Sequence, residues 1–409
     1  MTAPLAIINA KLVDPLAGTI TAGGVLIRDR HIAAVGRFEI APGVETIDAN
    51  GAHVAPGLVD LGIFAIDMPA FTAGGITRAV LMPDQSPPLD HAALVQRAAA
   101  AGKPDVWIHP LAAATKGLRG EELAEIGLMK AGGACGVATG RGWIADSGVM
   151  HRLLSYAHAL GMLVISHAED GGLTAGAAAT EGEFATRMGL PAAPAVAEAM
   201  AVARDILLAE RSGARVHFRQ LSTARAFDLV RDAKRRGLPV SCGISPAHLL
   251  LSDVALGGFR TFARLSPPLR GEEDRRAALA AVADGTIDLI CSSHDPQGPE
   301  AKRLPFADAE AGMSGAETLL TLSLALVRDG LIDLPRLIAL LSAAPAQLLG
   351  LPGGTLAVGG EADLVLFDPD APWRIDSDRM ASQAGNTPFD GLPVQGKVLR
   401  TIKGGVALG

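Results

Sequence analysis

The chain has 409 residues, 49% of them hydrophobic and 19% charged, with 36 basic against 43 acidic side chains and a net charge of −7. That length suits one large domain with a smaller companion, and the composition excludes a disordered or coiled-coil protein. No run of like charge could track a phosphate backbone, and no apolar stretch reaches the roughly 18 residues of a membrane helix, so neither nucleic acid nor membrane is an expected partner.

The N-terminus carries Lys11 in its first apolar run and lacks the basic-then-apolar order of a signal peptide, which points to the cytoplasm. Residues 1–55 hold short β-type runs (Leu5–Ile8, Gly24–Ile27, His31–Val35, Glu45–Asp48) separated by turn residues, as in a small antiparallel sheet. The C-terminal stretch repeats that style at Asp363–Phe367, Trp373–Ile375 and Lys397–Ile402. Two β-rich ends around a different middle predict one small β-sandwich domain built from residues 1–55 and 350–409.

Between them, over residues 56–349, strand-like runs alternate with helical ones. The strands are expected at Gly57–Phe64, Thr77–Met82, Val106–Ala112, Ala134–Thr139, Met162–His167, Arg215–Leu221, Pro239–Ile244 and Asp288–Ser293. Ala226–Arg236 reads as a helix with Ser222 or Thr223 as N-cap and Gly237 at its stop, and Val196–Arg211 and Glu272–Ala283 read likewise. Eight such units fit an α/β fold of the (β/α)8 barrel type. Only twelve residues separate Phe64 from Thr77, so the first crossover is truncated. The long fifth crossover and the stretch from Pro296 to Gly315 are the expected lids. Cys135, Cys242 and Cys291 are isolated and odd in number, hence buried thiols and not a disulfide frame or zinc knuckle.

Barrels keep their chemistry just past the C-terminal ends of the strands. Strand five ends in His167-Ala168-Glu169-Asp170 and strand eight in Ser293-His294-Asp295, the two most polar ends. The other ends offer Gly62, Phe64 and Ile66, then Thr139 or Gly140 with Arg141 beside them, then Gln220. A metal needs three or four convergent ligands, and this set supplies His167 with little to join it. His248 lies near the mouth and stays open as a further candidate. There is no Gly-x-Ser-x-Gly elbow and no phosphate loop.

Pro56-Gly57-Leu58-Val59-Asp60, Met82-Pro83, His167-Ala168-Glu169-Asp170, Leu221-Ser222-Thr223, Ser266-Pro267-Pro268-Leu269-Arg270, Gly315-Ala316-Glu317-Thr318 and Asn386-Thr387-Pro388-Phe389 together resemble the dihydroorotases of the amidohydrolase superfamily. The resemblance spans nearly the whole chain and implies the same barrel and terminal β-sandwich. Active members hold zinc with His-x-His after strand one, an Asp or carboxylated Lys near strand four and one His each after strands five and six, with an acid/base Asp after strand eight. The matching positions here are Gly62 and Phe64, Thr139 (or Gly140), His167, Gln220 and Ser293, so His167 alone remains of the family's metal ligands. The substrate-binding Arg and two Asn correspond to Ile66, Asp84 and Ser266.

The resemblance is therefore to an inactive dihydroorotase-like subunit, without catalytic residues, metal or other cofactor, that assembles with the catalytic chain of aspartate carbamoyltransferase as a homo- or hetero-oligomer. The competing expectation is an active cyclic amidohydrolase with a reduced zinc site made from His167, His248, His294 and Asp295. A third is a small ligand in the emptied mouth, contacted by Arg141 or the eighth loop.

Overall fold

The computed structural model describes residues 4–408. Eight parallel strands, Leu58–Ile63, Ile76–Leu81, Trp107–Ala113, Gly136–Ala138, Val164–Ser166, Val216–Phe218, Val240–Ile244 and Leu289–Ile290, follow one another in sequence order around the expected (β/α)8 barrel. Inward side chains recur at period two and fill the interior with Leu61, Val80, Leu111, Ala138, Ile165 and Leu289. The outward set packs beneath the helices with Phe71, Val164, Phe218, Phe227 and Val230.

Strands one and eight are joined through side chains. Asp60 is fully buried, and its carboxylate accepts the Ser292 N–H at 2.8 Å and the Ser292 hydroxyl. Beyond it the Phe64 N–H donates to the His294 carbonyl at 2.9 Å. The first crossover is as short as its sequence requires, a seven-residue helix Met68–Gly74 capped by Asp67 and stopped by Gly75 at φ 79°. The other helices match expectation, with Val196–Ser212 ended by left-handed Gly213 and Ala224–Arg235 capped by the Thr223 hydroxyl.

Both chain ends enter one eight-stranded sheet, made of Leu5–Asp14, Thr19–Arg28, His31–Gly36, Glu45–Asp48, His53–Pro56, Leu364–Arg374, Pro393–Lys403 and Val406–Leu408. It departs from the antiparallel expectation, because Leu5–Asp14 pairs in parallel with both Glu45–Asp48 and His53–Pro56. Asp363–Phe367 and Trp373–Ile375, read as separate runs, belong to one strand whose register breaks between Asp368 and Pro372. Buried Arg78 of the second barrel strand ties this sheet to the barrel through Glu361 and, at 2.9 Å, Asp363.

Cys242 and Cys291 are buried and Cys135 half-buried, all three as free thiols. Burial pushes Cys242 far up, Cys291 up to about 11 and Cys135 up to about 12, too high for reactive thiolates. Among the described residues no helix is long and apolar enough to cross a membrane.

Candidate functional site at the barrel mouth

The strand ends surround a cavity of about 280 Å³ lined by Phe64, Arg141, Arg219, Gln220, Ser245, Ser293, Asp295 and residues of the eighth loop. Phe64 reaches it because the strand bulges at Gly62, where the register shifts and φ is +95°. Without that bulge, alternation from inward Leu61 would turn Phe64 outward.

Arg219 dominates the mouth, and sequence reasoning passed over it in favour of its neighbour Gln220. Phe218 packs outward beneath the helices, so alternation sends the Arg219 side chain inward. That phase, in a charged residue at the end of an apolar strand, was the available signal. Arg219 is 2% exposed, and its guanidinium carbon lies 4.9 Å from the centre of the Phe64 ring. Its stem passes Gly62 so closely that a Cβ there would sit 3.2 Å from Arg219 Cδ. Burial, above all, holds it below the usual arginine range, and the Arg141 charge adds to the effect.

His167 faces this cation. Its Nδ1 lies 3.5 Å from Arg219 Nη2, and its Nε2 lies 3.4 Å from Glu169 Oε2. A guanidinium can only donate, so the ring lone pair at Nδ1 points at Arg219 and Nε2 carries the proton toward Glu169. Burial works to raise the Glu169 carboxyl, but hydrogen bonding from His167 and the Arg270 charge hold it at about 2.

Gln220 spends its amide inside the wall. Oε1 accepts from Ser293 Oγ at 2.6 Å and Arg219 Nη1 at 3.3 Å; Nε2 donates to Ser245 Oγ at 3.2 Å and His248 Nδ1 at 3.0 Å. His248 Nε2 lies 3.0 Å from the Pro267 carbonyl, an acceptor only, so Nε2 carries its proton. Burial lowers this imidazole to about 4, leaving it neutral.

The other sequence candidates scatter. Thr139 Oγ1 accepts the His167 backbone N–H at 3.0 Å. Asp84 Oδ1 accepts the Arg141 backbone N–H at 2.8 Å, and the Arg141 side chain pairs with Asp295 while its Cζ stacks 3.8 Å from the Phe64 centroid. Ser266 lines the cavity; Ile66 does not, and its carbonyl accepts from Gln383 at 2.7 Å. Placing His294 with the mouth cluster is corrected: it is fully buried, lies 3.3 Å from Asp67, packs edge-on against Phe71 and does not line the cavity. The first-crossover helix, drawn close by its short loop, supplies those partners. Among the described residues no three His, Cys, Asp or Glu side chains converge as a metal site.

A metal does not fit this arrangement. Zinc would need the His167 lone pair that faces Arg219, it would meet the Phe64 ring where a nitrogen ligand is required, and it would lie against a buried cation.

A second network beside the mouth was also missed. Arg270 donates to Glu169 at 2.7 Å, Ser222 Oγ at 2.9 Å and Thr180 Oγ1 at 3.1 Å. Glu198, fully buried, accepts from the backbone N–H and hydroxyl groups of Ser222 and Thr223 at 2.7–3.1 Å. The expected lids pack together as a cap: Ala178 and Ala185 of the fifth crossover share an apolar cluster with Leu265, Phe306 and Met313. Asn386 holds the eighth loop through the Gly312 carbonyl and the Gln297 N–H, both at 3.0 Å.

The sequence pattern described as Dihydro-orotase-like matches residues 51–226, and that of the Amidohydrolase family matches residues 312–408. The chain is 40% identical to a dihydroorotase of Pelotomaculum thermopropionicum over 98% of its length and 97% of the relative's. It is 39% identical to one of Anaeromyxobacter dehalogenans over 99% and 98%. Among solved structures, the L-hydantoinase (dihydropyrimidinase) of Arthrobacter aurescens superposes with a TM-score of 0.88 at 25% identity, covering 100% of this chain and 96% of that one. The dihydropyrimidinase of Brevibacillus agri gives 0.85 at 24% identity over 99% and 94%, a likeness of fold.

Proposed function

Since the chain belongs to the dihydroorotase-like family of amidohydrolases, we propose that it is a pyrimidine-biosynthesis protein that has given up metal-dependent ring opening and serves as a structural partner of the aspartate carbamoyltransferase catalytic chain. The observation that carries this reading is the Arg219 guanidinium, buried against Gly62 and facing the His167 lone pair at 3.5 Å. Opening a cyclic amide requires an activated water and a proton shuttle. Here the side chain after strand eight is Ser293, whose hydroxyl donates to Gln220, and both Gln220 and His248 are engaged in the wall. The motifs kept from the family are those of the wall and the cap, which supports retention for shape.

The experiment has two arms. Protein purified without chelator is expected to carry far less than one zinc per chain and to release no N-carbamoyl-aspartate from dihydroorotate. Co-expressed with the carbamoyltransferase chain, it is expected to purify as one complex; two separately migrating species at micromolar concentration would sink the partner role.

Full-length identity of 40% to a protein named dihydroorotase favours a second reading, an active cyclic amidohydrolase with an altered metal site that reversibly opens dihydroorotate. Stoichiometric zinc together with turnover would establish it over the first.

A further inference from the structure

We infer that the cap over the barrel mouth is a proton-linked lid, with the buried side chain of Lys302 as the group that sets how readily it opens. Such a lid is independent of whether the mouth is hydrolytic. Lys302 ends the short helix Pro299–Lys302 of the eighth loop and is 3% exposed. Its ammonium donates to three backbone carbonyls, of Glu310 at 2.6 Å, Thr261 at 3.2 Å and Arg264 at 3.4 Å. The Thr261 hydroxyl returns a hydrogen bond to the Lys302 carbonyl at 2.7 Å, and the Gly312 N–H donates to the Arg264 carbonyl at 3.0 Å. One buried charge thus sits at the joint between the loop after strand seven and both arms of the eighth loop. The arm it holds, Glu310–Met313, forms a wall of the cavity.

A charge taken out of water is unfavourable unless an opposite charge meets it. All three acceptors of Lys302 are neutral. Charged groups face the ammonium from each neighbouring element: Asp295 from the end of strand eight, Arg264 from the seventh loop and Glu310 from the eighth. Asp295 pairs with Arg141 instead, and Glu310 is exposed. Burial, above all, lowers the amine to about 8, with Asp295 and Glu310 opposing and Arg264 adding to the effect. Once neutral, the amine keeps two N–H donors for the Glu310 and Thr261 carbonyls, and the Arg264 carbonyl keeps the Gly312 N–H, so no acceptor is orphaned. In an open cap the side chain returns to water and to its ordinary value of 10.5. Between about 8 and 10.5 the open state therefore binds a proton that the closed state has shed. Closure tightens as pH rises through that window, by up to about tenfold per pH unit, and is level below it.

The test follows amide hydrogen exchange of the full chain from about pH 7 to about pH 9.5, with each rate corrected for the intrinsic pH dependence of exchange. The reporters are the Glu310 and Gly312 N–H groups, which donate to the Ala301 and Arg264 carbonyls at 3.0 Å, and the strand Val216–Phe218 reports opening of the barrel itself. At pH 7 the reporters are expected to exchange roughly tenfold or more faster than the strand, because the cap opens without the barrel. Their protection should then rise roughly tenfold or more by pH 9.5. Lys302→Met, which keeps the stem and removes the charge, should abolish that rise, and so should Lys302→Arg, which stays charged throughout. Reporters no faster than the strand, protection that stays level or falls with pH, or a Lys302→Met protein with the wild-type rise would each overturn the proposal. If neither variant folds, the wild-type profile decides alone. Exchange reads neither zinc, turnover nor partner, so failure here and failure of the non-hydrolytic reading are distinguishable.

Discussion

Gly62 shows how a single residue guards the mouth. Its φ of +95° lies in the left-handed region, where a side chain is strained, and a Cβ would press on the Arg219 stem at 3.2 Å. Restoring a family-like His-x-His with Gly62→His and Phe64→His therefore adds two imidazoles to a strained backbone beside a cation, with no carboxylate bridge at Thr139 and no imidazole at Gln220. We expect no zinc-dependent turnover and a loss of about 1–3 kcal/mol in stability, nearly all of it reproduced by Gly62→Ala. Zinc content, dihydroorotate assays and urea unfolding of the two variants check this; turnover in the double variant would mean that more of the metal site survives than the geometry around His167 allows. Ser293 is the counterpart at strand eight, a non-glycine residue at φ 51° whose hydroxyl donates to Gln220 at 2.6 Å. Ser293→Ala should cost about 0.5–1.5 kcal/mol in urea unfolding, because its hydroxyl serves the wall.

At the scale of elements, the helix Val196–Ser212 is anchored by Glu198, whose carboxylate accepts from four donor groups of Ser222 and Thr223 at the start of the next helix and lies 3.5 Å from Arg270. Removing one member of such a buried network leaves the others unpaired, so Glu198→Ala is expected to destabilise the chain by about 3–5 kcal/mol. A change below about 1 kcal/mol in urea unfolding would show that solvent replaces the carboxylate. This network also marks where reading the sequence stops. Alternation and turn residues are local signals, and they located all eight barrel strands, the short first crossover and the helix capped by Thr223. Glu198 looks like one more surface charge on an amphipathic helix, because the groups that bury it lie more than twenty positions downstream. Arg219 was hidden for a related reason. Its direction depends on the phase of a three-residue strand, and the charges that act on it, Arg141, Asp84 and Asp295, come from other strand ends. His294 was placed at the mouth because its sequence neighbours lie there; its partners, Asp67 and Phe71, belong to the first crossover. Asp368–Pro372 read as a break between two strands because bulge residues and turn residues share a chemistry.

For the whole molecule, buried histidines set the response to acid. Burial lowers His109 to about 4, His217 to about 3 and His248 to about 4, from an ordinary value of 6.5. His217 holds Ser241 at 2.9 Å inside the sheet, and His248 braces the cavity wall through Gln220. Each is neutral in the folded protein and takes up a proton near pH 6.5 once unfolded. The unfolded state thus binds more protons below that pH, and the stability these groups contribute is complete above about 6.5 and lost as pH falls toward 4 and below. Each group subtracts up to about 1.4 kcal/mol per pH unit in that window, so the slope steepens with every buried imidazole that titrates. Glu169, held at about 2, adds its own loss only below the usual glutamate range near 4.5. Acid unfolding should therefore begin below pH 6.5 and be steep well before carboxylates as a class protonate. His248→Gln, which retains an amide able to bond the Pro267 carbonyl, should flatten that slope by about one proton and reduce stability at pH 7.5. Unfolding free energies from urea titrations between pH 4.5 and 8 read both quantities. A wild-type protein equally stable at pH 5 and pH 7.5 would show that these imidazoles accept protons without unfolding, through water reaching the barrel wall.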